Sequence, residues 1–227
     1  SRRLMPPSAG HLFGCDTFGR DLIERTAGGI LVSMSIALAV ASLSMALGIA
    51  IGSASSLPHL SVLAALTDSL KSLPPVVLAL FLVTLSGPGP VKLVLSLSLA
   101  HIANVSRSVH SKVRILRKTH YAETARLQGM NGLKLYIVHI LPNMKGYLAA
   151  QYVSVFSSAM LAESSLSFLG CGVRQPIPSL GSILAEARPV MLSSWWMILF
   201  PSLFLFLIAL SLRLISKGAS ELDPSSH

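Results

Sequence analysis

Apolar residues are concentrated in five long runs, which are separated by shorter polar segments. Four runs cover residues 30–53, 62–85, 91–109 and 144–161, and the fifth follows Trp195 and Trp196 and ends near Leu212. A helix needs about 20 predominantly apolar residues to cross a bilayer, and the first run contains no charged residue. The pattern therefore predicts an all-α polytopic membrane protein with five transmembrane helices in this chain.

Two features of the runs predict how their helices pack. The first run is rich in small residues, including Ala41, Gly48 and Gly52, which allow membrane helices to approach each other closely. The second run contains Pro74 and Pro75, and proline breaks or kinks a helix because it lacks a backbone donor. We interpret this interruption as a packing kink.

A few polar residues lie inside the runs. Asp68 and Lys71 are three residues apart, so they can pair on one helix face. His101 and Asn104 lie one turn apart in the third run. No second ligand stands at metal-site spacing from His101, so we predict a packing role for it and no metal site.

A basic polar segment, residues 107–145, separates the third run from the fourth. Against one acid, Glu123, it carries eight of the chain's eighteen Lys and Arg residues: Arg107, Lys112, Arg114, Arg117, Lys118, Arg126, Lys134 and Lys145. Basic loops between membrane spans stay on the cytoplasmic side. The segment is therefore predicted to be a cytoplasmic loop, which also places the C-terminus in the cytoplasm.

The same segment carries helix signals. Thr119 can cap a short helix with a face of Ala122, Ala125 and Leu127 around Glu123. Gly129 can end that helix in a left-handed conformation.

Asn131 and Gly132 then predict a turn, and a second short helix, residues 133–140, is expected to stop before Pro142. The result is a helix-turn-helix with a small-residue face, suited to docking on a partner.

The segment resembles the cytoplasmic coupling motif of ATP-binding-cassette importer permeases of the dipeptide, oligopeptide and nickel branch. The resemblance rests on Glu123-Thr124-Ala125, Gly129 and Ile140-Leu141-Pro142-Asn143, while Thr124 and His139 depart from the strict pattern. It implies that Glu123, Thr124 and Gly129 fix a docking helix, that Ala125 allows close approach, and that Leu141 and Pro142 join this helix to the fourth span.

Two further stretches resemble the same branch. One is residues 11–21, where Cys15 takes the place of the usual Thr, and the other is residues 163–188, where Leu180 takes the place of the usual Trp. The second implies an extracytoplasmic re-entrant segment that faces a binding protein. Its residues expected at the gate or the binding-protein contact are Glu163, Ser167, Phe168, Gly170, Gly172, Pro178 and Gly181. The ending Leu222-Asp223-Pro224 also matches this branch.

These observations divide the chain into three parts. Residues 1–29 are an extracytoplasmic lead-in with an amphipathic interfacial helix near Asp21–Arg25. Residues 30–217 form the permease domain, with a cytoplasmic coupling loop at 107–145 and an extracytoplasmic loop at 163–192 that ends before the interfacial anchors Trp195 and Trp196. Residues 218–227 are a cytoplasmic tail.

Composition narrows the function classes. Of the 227 residues, 52% are hydrophobic and 12% are charged, about half the charged share of a soluble domain. The net charge of +9 is clustered between spans without interleaved aromatic residues, which indicates topology rather than nucleic-acid binding. Cys15 and Cys171 lie in unrelated loops and are expected to stay unpaired.

Nucleotide-binding and hydrolase motifs are absent from the sequence. Without a G-x-x-x-x-G-K-[ST] loop, we expect the chain to bind no cofactor and ATP and Mg to be bound by partner ATPase subunits. Without H-E-x-x-H or G-x-S-x-G, we expect a permease subunit rather than an enzyme.

The resemblance implies a translocation subunit in the bacterial inner membrane, which couples ATP hydrolysis by its partners to alternating access. The expected partners are a second permease, most simply in a heterodimer, two cytoplasmic ATPases, an extracytoplasmic binding protein and membrane lipid. Di- and oligopeptides are the expected cargo, nickel or a metal chelate is the alternative, and an ATPase-independent channel or membrane enzyme is the second alternative. The substrate-binding residues are not identified by the sequence.

The branch normally has six spans, the first of which precedes the segment matched by residues 11–21. Because Ser1 is not an initiator Met, we expect a further span to precede it. A naturally five-span subunit is the alternative.

Overall fold

The computed structural model describes residues 3–55, 73–87, 89–173 and 175–221, together with positions 62, 65 and 67–69. These residues are helical, apart from turns and two isolated β-bridges near the N-terminus. The helices are α1 (Leu22–Ala54), α2 (Pro75–Ser86), α3 (Pro90–Leu116), α4 (His120–Leu127), α5 (Gly132–Leu135), α6 (Leu141–Asn143), α7 (Lys145–Phe168), α8 (Leu180–Ala187) and α9 (Trp196–Glu221). The predicted ending Leu222-Asp223-Pro224 lies outside the described residues.

Helix α1 begins eight residues earlier than the first apolar run. Asp21 starts it, because its carboxylate accepts a hydrogen bond from the Ile23 backbone N–H at 2.8 Å. The separate interfacial helix expected near Asp21–Arg25 is therefore wrong: these residues form the first turn of α1, and Leu22 is fully buried. The helix continues through Gly29, where an added Cβ would lie 3.2 Å from the backbone nitrogen of Leu180.

The long helices pack around α1, and its closest contact is with α3. A Cβ atom on Gly48 would lie 2.5 Å from Val105, and one on Gly52 would lie 2.4 Å from the Ser106 carbonyl oxygen. Glycine is therefore required at both positions for the two backbones to approach this closely. The prediction that small residues of the first run pack against another helix is confirmed.

The second run is interrupted as predicted. Helix α2 begins at Pro75, with Pro74 in an extended conformation before it, because neither proline can donate to a preceding carbonyl. The predicted partner of Asp68, Lys71, lies outside the described residues. Asp68 forms an ion pair with Arg107 of α3.

Three helices extend beyond the apolar runs that predict them. Helix α3 continues to Leu116, α7 to Phe168 and α9 to Glu221. The additional turns of α3 carry Val113 and Leu116, which are buried against neighbouring segments, so packing stabilises helix beyond the apolar run. The boundaries of both predicted loops change as a result: 107–116 belongs to α3 and 163–168 to α7.

Two described helices, α1 and α9, are long and apolar enough to cross a membrane by length and composition, and α2 is a shorter apolar helix. Helices α3 and α7 are 27 and 24 residues long but carry more polar residues. The count of five spans therefore stays a prediction.

A buried ion network holds the N-terminal segment against α1 and α8. The Arg25 guanidinium donates to Asp16 Oδ2 at 2.8 Å and to both carboxylate oxygens of Glu186, at 2.5 and 2.9 Å. Arg20 Nε donates to the same Asp16 oxygen at 2.6 Å. The exposed fraction is 7% for the Arg25 side chain and zero for Asp16, so the pairing of these charges is what makes their burial tolerable.

Burial alone would raise the pKa of the Asp16 carboxyl. Hydrogen bonds from Arg20, from the Phe18 backbone N–H and from Arg25 more than offset this effect and hold the pKa below its usual value. At the same end, the Asp21 pKa is lowered by the His11 side chain, whose Nδ1 lies 2.7 Å from Asp21 Oδ2. Both carboxylates therefore stabilise the fold as anions.

The two tryptophans before α9 have different environments. Trp195 is 54% exposed, as expected of an interfacial anchor, but Trp196 is 6% exposed. The Trp196 indole N–H donates to the Cys15 carbonyl oxygen at 3.4 Å, so Trp196 fastens the N-terminal segment to α9 and is not an interfacial anchor. Cys15 is buried, Cys171 is half-buried, and the structure has no disulfide between them.

The close contact between α1 and α3 predicts that Gly52→Ala destabilises the protein by about 1–3 kcal/mol, because the added methyl group overpacks the contact. Thermal unfolding of the purified protein in detergent measures the loss. The matched control is Gly218→Ala in α9, where nothing lies within 4 Å of the added Cβ. Equal stability of the two variants would contradict the close packing at Gly52.

Removing the central cation of the ion network should be costly. Arg25→Gln removes the buried cation that pairs with both Asp16 and Glu186, and breaking a buried pair in this way costs about 3–5 kcal/mol. Arg20→Gln serves as the control, since the Arg20 side chain is 40% exposed and exposed pairs contribute about 1 kcal/mol or less. If denaturant unfolding gives equal losses for both variants, Arg25 is not the centre of the network.

The pKa of Asp16 also predicts a pH dependence. Because its folded pKa lies below the unfolded value of about 3.9, its stabilising contribution is complete above that unfolded value and is lost as pH falls through the folded one. Between pH 5 and 2 the parent should therefore lose more stability than Asp16→Asn, as measured by the midpoint of denaturant unfolding. Parallel curves would contradict the assignment.

Candidate functional site

The segment that joins α3 to α7, here called the connector (residues 119–144), folds back against the end of α3. It consists of α4, a turn at Gly129, α5, a wide π-helical turn at Tyr136–Ile140, and α6. The predicted helix-turn-helix is therefore present.

Gly129 and Asn131 set the ends of the connector's helices, but Thr119 does not. Gly129 has φ +81°, the left-handed conformation predicted for it. Asn131 caps α5, since its side-chain oxygen accepts from the Leu133 N–H at 3.4 Å. Thr119 precedes α4, but its hydroxyl donates back to the Leu116 carbonyl at 2.6 Å, so the prediction of a side-chain cap at Thr119 is wrong.

The prediction that the second helix stops before Pro142 is also wrong. The helical path continues through Leu141 and Pro142 to Asn143 and breaks at Met144, where φ is −97° and ψ is 0°. A proline clashes with the carbonyl four residues before it in an α-helix, which here is Val138. Val138 lies in the π-helical turn, where the regular α-helical spacing that produces this clash is interrupted.

The inner face of the connector is buried against α3. Ala122 and Ala125 of α4, together with Leu135 and Ile140, share a core cluster with Val113. The exposed fraction of each of these side chains is 5% or less. The small-residue face was expected to dock on a partner, but Ala122 and Ala125 are buried in a core cluster of this chain that also contains residues of α1 and α3.

The outer face of the connector is exposed and largely apolar, with large side chains from three of its turns. Among the residues predicted to couple to the ATPase, Glu123, Thr124, Gly129 and Pro142 are exposed, and Leu141 is half-buried. Its exposed large apolar side chains are Leu127 at 89%, Leu133 at 67%, Ile137 at 54% and Val138 at 51%. Large apolar side chains exposed together on one segment are typical of an interaction site.

The connector is also attached to α1. The hydroxyl groups of Tyr136 and Ser53 lie 2.5 Å apart, and a cavity of about 270 Å³ between the two segments is lined by Ala50, Ser53 and Leu133, among others. The connector therefore contacts two long helices and is positioned by both.

The other candidate region, residues 163–192, lies at the opposite end of α7. Glu163 and Ser167 belong to the last turns of α7 and not to a loop, and both are buried. The Ser167 hydroxyl donates to Glu163 Oε1 at 2.7 Å, and its oxygen accepts from the Val173 backbone N–H at 3.2 Å. Being buried, Glu163 and Ser167 are not available in this structure for surface contact with a binding protein; their observed bonds position the following loop.

The glycines of this region have different roles. Gly172 packs on Ser167, and Gly181 packs on Ser164, because an added Cβ would lie 2.0 and 2.2 Å from those residues. Gly170 adopts φ +82° and faces open space.

Only some of the residues predicted at the gate or the binding-protein contact are therefore accessible at the surface. Phe168 is 37% exposed, Gly170 is exposed and Pro178 is half-buried. The surface also includes Leu169 at 57% and Ile177 at 44%, which the sequence analysis missed.

His101 has the packing role predicted for it. Its ring nitrogens lie 2.8 Å from the Leu97 carbonyl oxygen and 3.2 Å from the Ser158 hydroxyl, and the residue is 4% exposed. Within the part of the chain that the structure describes, no group of three or more His, Cys, Asp or Glu residues could hold a metal ion.

Comparison with known proteins shows a consistent similarity. Residues 44–220 match the family described as binding-protein-dependent transport system inner membrane component. A Brucella suis protein assigned to a peptide transport system permease is 39% identical over 225 residues, which cover 98% of this chain and 76% of that protein. The di/tripeptide transport system permease protein DppC of Pseudomonas aeruginosa is 33% identical, with 97% and 76% covered.

A solved structure shows the same fold. A chain of the MetNI methionine ABC transporter, in an inward-facing conformation, superposes with a TM-score of 0.68 at 12% identity, which covers 87% of this chain and 97% of that one. At this identity the likeness concerns the fold alone. The family match and the relatives establish that the chain belongs to the binding-protein-dependent inner membrane components, as an ABC importer permease of the peptide branch.

Proposed function

We propose that the connector is the element through which ATP hydrolysis by cytoplasmic ATPase subunits drives this permease between inward-open and outward-open states. The observation that carries the proposal is that one face of the connector is buried and the other is exposed. Leu135 and Ile140 are buried on α3, whereas Leu127 and Leu133 on the other face are exposed. A segment fixed on one side and open on the other suits transmission of a partner's movement.

The free energies involved indicate that apolar contact alone would not make the connector bind a partner tightly. Burying four large apolar side chains contributes on the order of 6–12 kcal/mol, while association costs about 4–15 kcal/mol in lost freedom. Glu123 and Lys134 are exposed on the same connector, and charged contacts there would add specificity. Gly129 fixes the turn between α4 and α5, so the two parts of the surface keep one relative orientation.

Movement of the connector would reach the membrane through α3 and α1. A rigid-body displacement of packed helices is a common form of switching. The closely packed glycines of α1 make sliding between α1 and α3 costly, so these helices are expected to move together. ATP and Mg would be bound by the ATPase subunits, and no cofactor by this chain.

At the other end, the exposed residues Phe168 and Gly170 and the half-buried Pro178 are proposed to face an extracytoplasmic binding protein. Glu163, Ser167, Gly172 and Gly181 hold the backbone that presents them. A second permease subunit would complete the pathway, most simply as a heterodimer, and the C-terminus would be cytoplasmic. The relatives' names support di- or oligopeptides as the cargo rather than nickel.

Glu123→Lys, Leu127→Asp and Gly129→Asp should each lower ATP-driven peptide uptake at least about tenfold, because charge or strain at the outer face costs about 1.4 kcal/mol or more. Uptake and co-purification of the ATPase subunits are measured in cells that express the whole transporter, with the abundance of each variant checked in membranes.

The matched control for Leu127→Asp is Ile115→Asp. Ile115 is an apolar residue of α3 that is 61% exposed and lies outside the connector. Gly129→Asn gives a second control, since Asn tolerates the left-handed conformation better than other side chains. Normal uptake and ATPase retention by the three connector variants, at parental abundance, would contradict the proposal. Uptake without ATP by the chain alone would favour a channel instead.

A further inference from the structure

A groove lies between α7 and α9, and neither candidate region includes it. Its volume is about 710 Å³, within the range of about 300–1,000 Å³ typical of ligand sites. The lining residues are Ser154, Ser157, Ser158, Leu161, Leu210, Arg213, Leu214, Ser216, Lys217 and Ser220. It therefore combines hydroxyl groups, two cations and an apolar wall.

The floor of the groove is fixed by hydrogen bonds between the two helices. The Ser157 hydroxyl donates to the Ala209 carbonyl at 3.3 Å, and the Ser216 hydroxyl donates to the Ala150 carbonyl at 2.9 Å. The groove is thus a property of how α7 and α9 pack, rather than a gap between separate segments.

Its positive charge is poorly compensated. Among the described residues Arg213 makes no ion pair, and Lys217 lies 3.9 Å from Glu221 with both side chains more than two-thirds exposed, a geometry that contributes little. An anionic group would therefore find two available cations and nearby hydroxyl groups.

The depth of these cations favours a lipid. Arg213 and Lys217 lie about 25 and 31 Å along α9 from Trp196, at 1.5 Å per residue, and the hydrocarbon core is about 30 Å thick. With the exposed Trp195 at one interface, the cations reach the level of the headgroups of the opposite leaflet.

The exposed face of α9 favours lipid over a second helix. Leu210 and Leu214, which line the groove, are 41% and 60% exposed, and Leu207 and Ile215 of the same helix are 47% and 57% exposed. Membrane helices that pack on one another use small residues at the contact, as α1 does at Gly48 and Gly52. A face of large apolar side chains suits acyl chains.

We propose that this groove binds an anionic phospholipid. The phosphate accepts hydrogen bonds from Arg213 and Lys217, and an acyl chain lies along Leu210 and Leu214. Basic pockets between membrane helices bind anionic headgroups by this chemistry. The proposal rests on the chain's place in a membrane and not on its partnership with ATPases.

The test is native mass spectrometry of the detergent-purified chain, alone and co-expressed with the other transporter subunits, titrated with phosphatidylglycerol or phosphatidylcholine. The double variant Arg213→Gln with Lys217→Gln should bind phosphatidylglycerol at least about tenfold more weakly, with phosphatidylcholine binding unchanged. Arg213→Lys should retain most of the binding, because the positive charge remains.

The matched control is the double variant Arg114→Gln with Lys118→Gln, which removes two exposed cations elsewhere in the chain and should change phosphatidylglycerol binding less than about twofold. If both double variants lose phosphatidylglycerol binding equally, the overall charge of the chain explains the effect, and the proposal is overturned. Displacement of the lipid by inorganic phosphate or a free dipeptide at equal concentration would identify a soluble-anion site instead.

Loss of the lipid when the second permease joins would identify the groove as a subunit interface and would also overturn the proposal. Failure of ATP-driven uptake while phosphatidylglycerol binding persists would overturn only the transport function.

Discussion

The burial of the connector's inner face on α3 is the contact on which the rest of the account depends. Leu135 and Ile140 lie in one core cluster with Val109 and Val113, whereas the large apolar side chains of the connector's other face, such as Leu127, are exposed. Fully burying each such side chain stabilises by about 1.5–3 kcal/mol. Without this contact the connector would be a mobile loop, and force applied to its outer face would not reach the helices.

Helix α1 connects the two ends of the structure. Its 33 residues span about 50 Å, from the ion network around Arg25 to the contact between Ser53 and Tyr136. In between, Gly48 and Gly52 bring it against α3. The N-terminal end of α1 is thus held by buried charges, and its middle is held by close packing of backbones. Its C-terminal end, beside the connector, is held by apolar contacts and a hydrogen bond.

The apolar runs predicted the helices well, and Gly129 and Pro74 were correctly assigned from their backbone constraints alone. The errors concern long-range packing. Nothing local shows that Ala125 faces α3 rather than a partner, since helical spacing identifies a face but not its neighbour. The burial of Glu163 and Trp196 likewise depends on segments distant in the sequence. The pairing of Arg25 with Glu186 joins residues 161 positions apart, although an Arg in the first turn of an apolar helix is a signal that an acid lies nearby.

The central claim is that the connector's outer face lies on the cytoplasmic side, opposite the N-terminal segment. Single cysteines introduced as Leu133→Cys and Leu12→Cys, both at exposed positions, test it most directly in a background that carries Cys15→Ala and Cys171→Ser. A membrane-impermeant maleimide should label position 12 in cells with a permeable outer envelope and an intact inner membrane, and position 133 only after the inner membrane is opened. Labelling of position 133 while the inner membrane is intact would contradict the account.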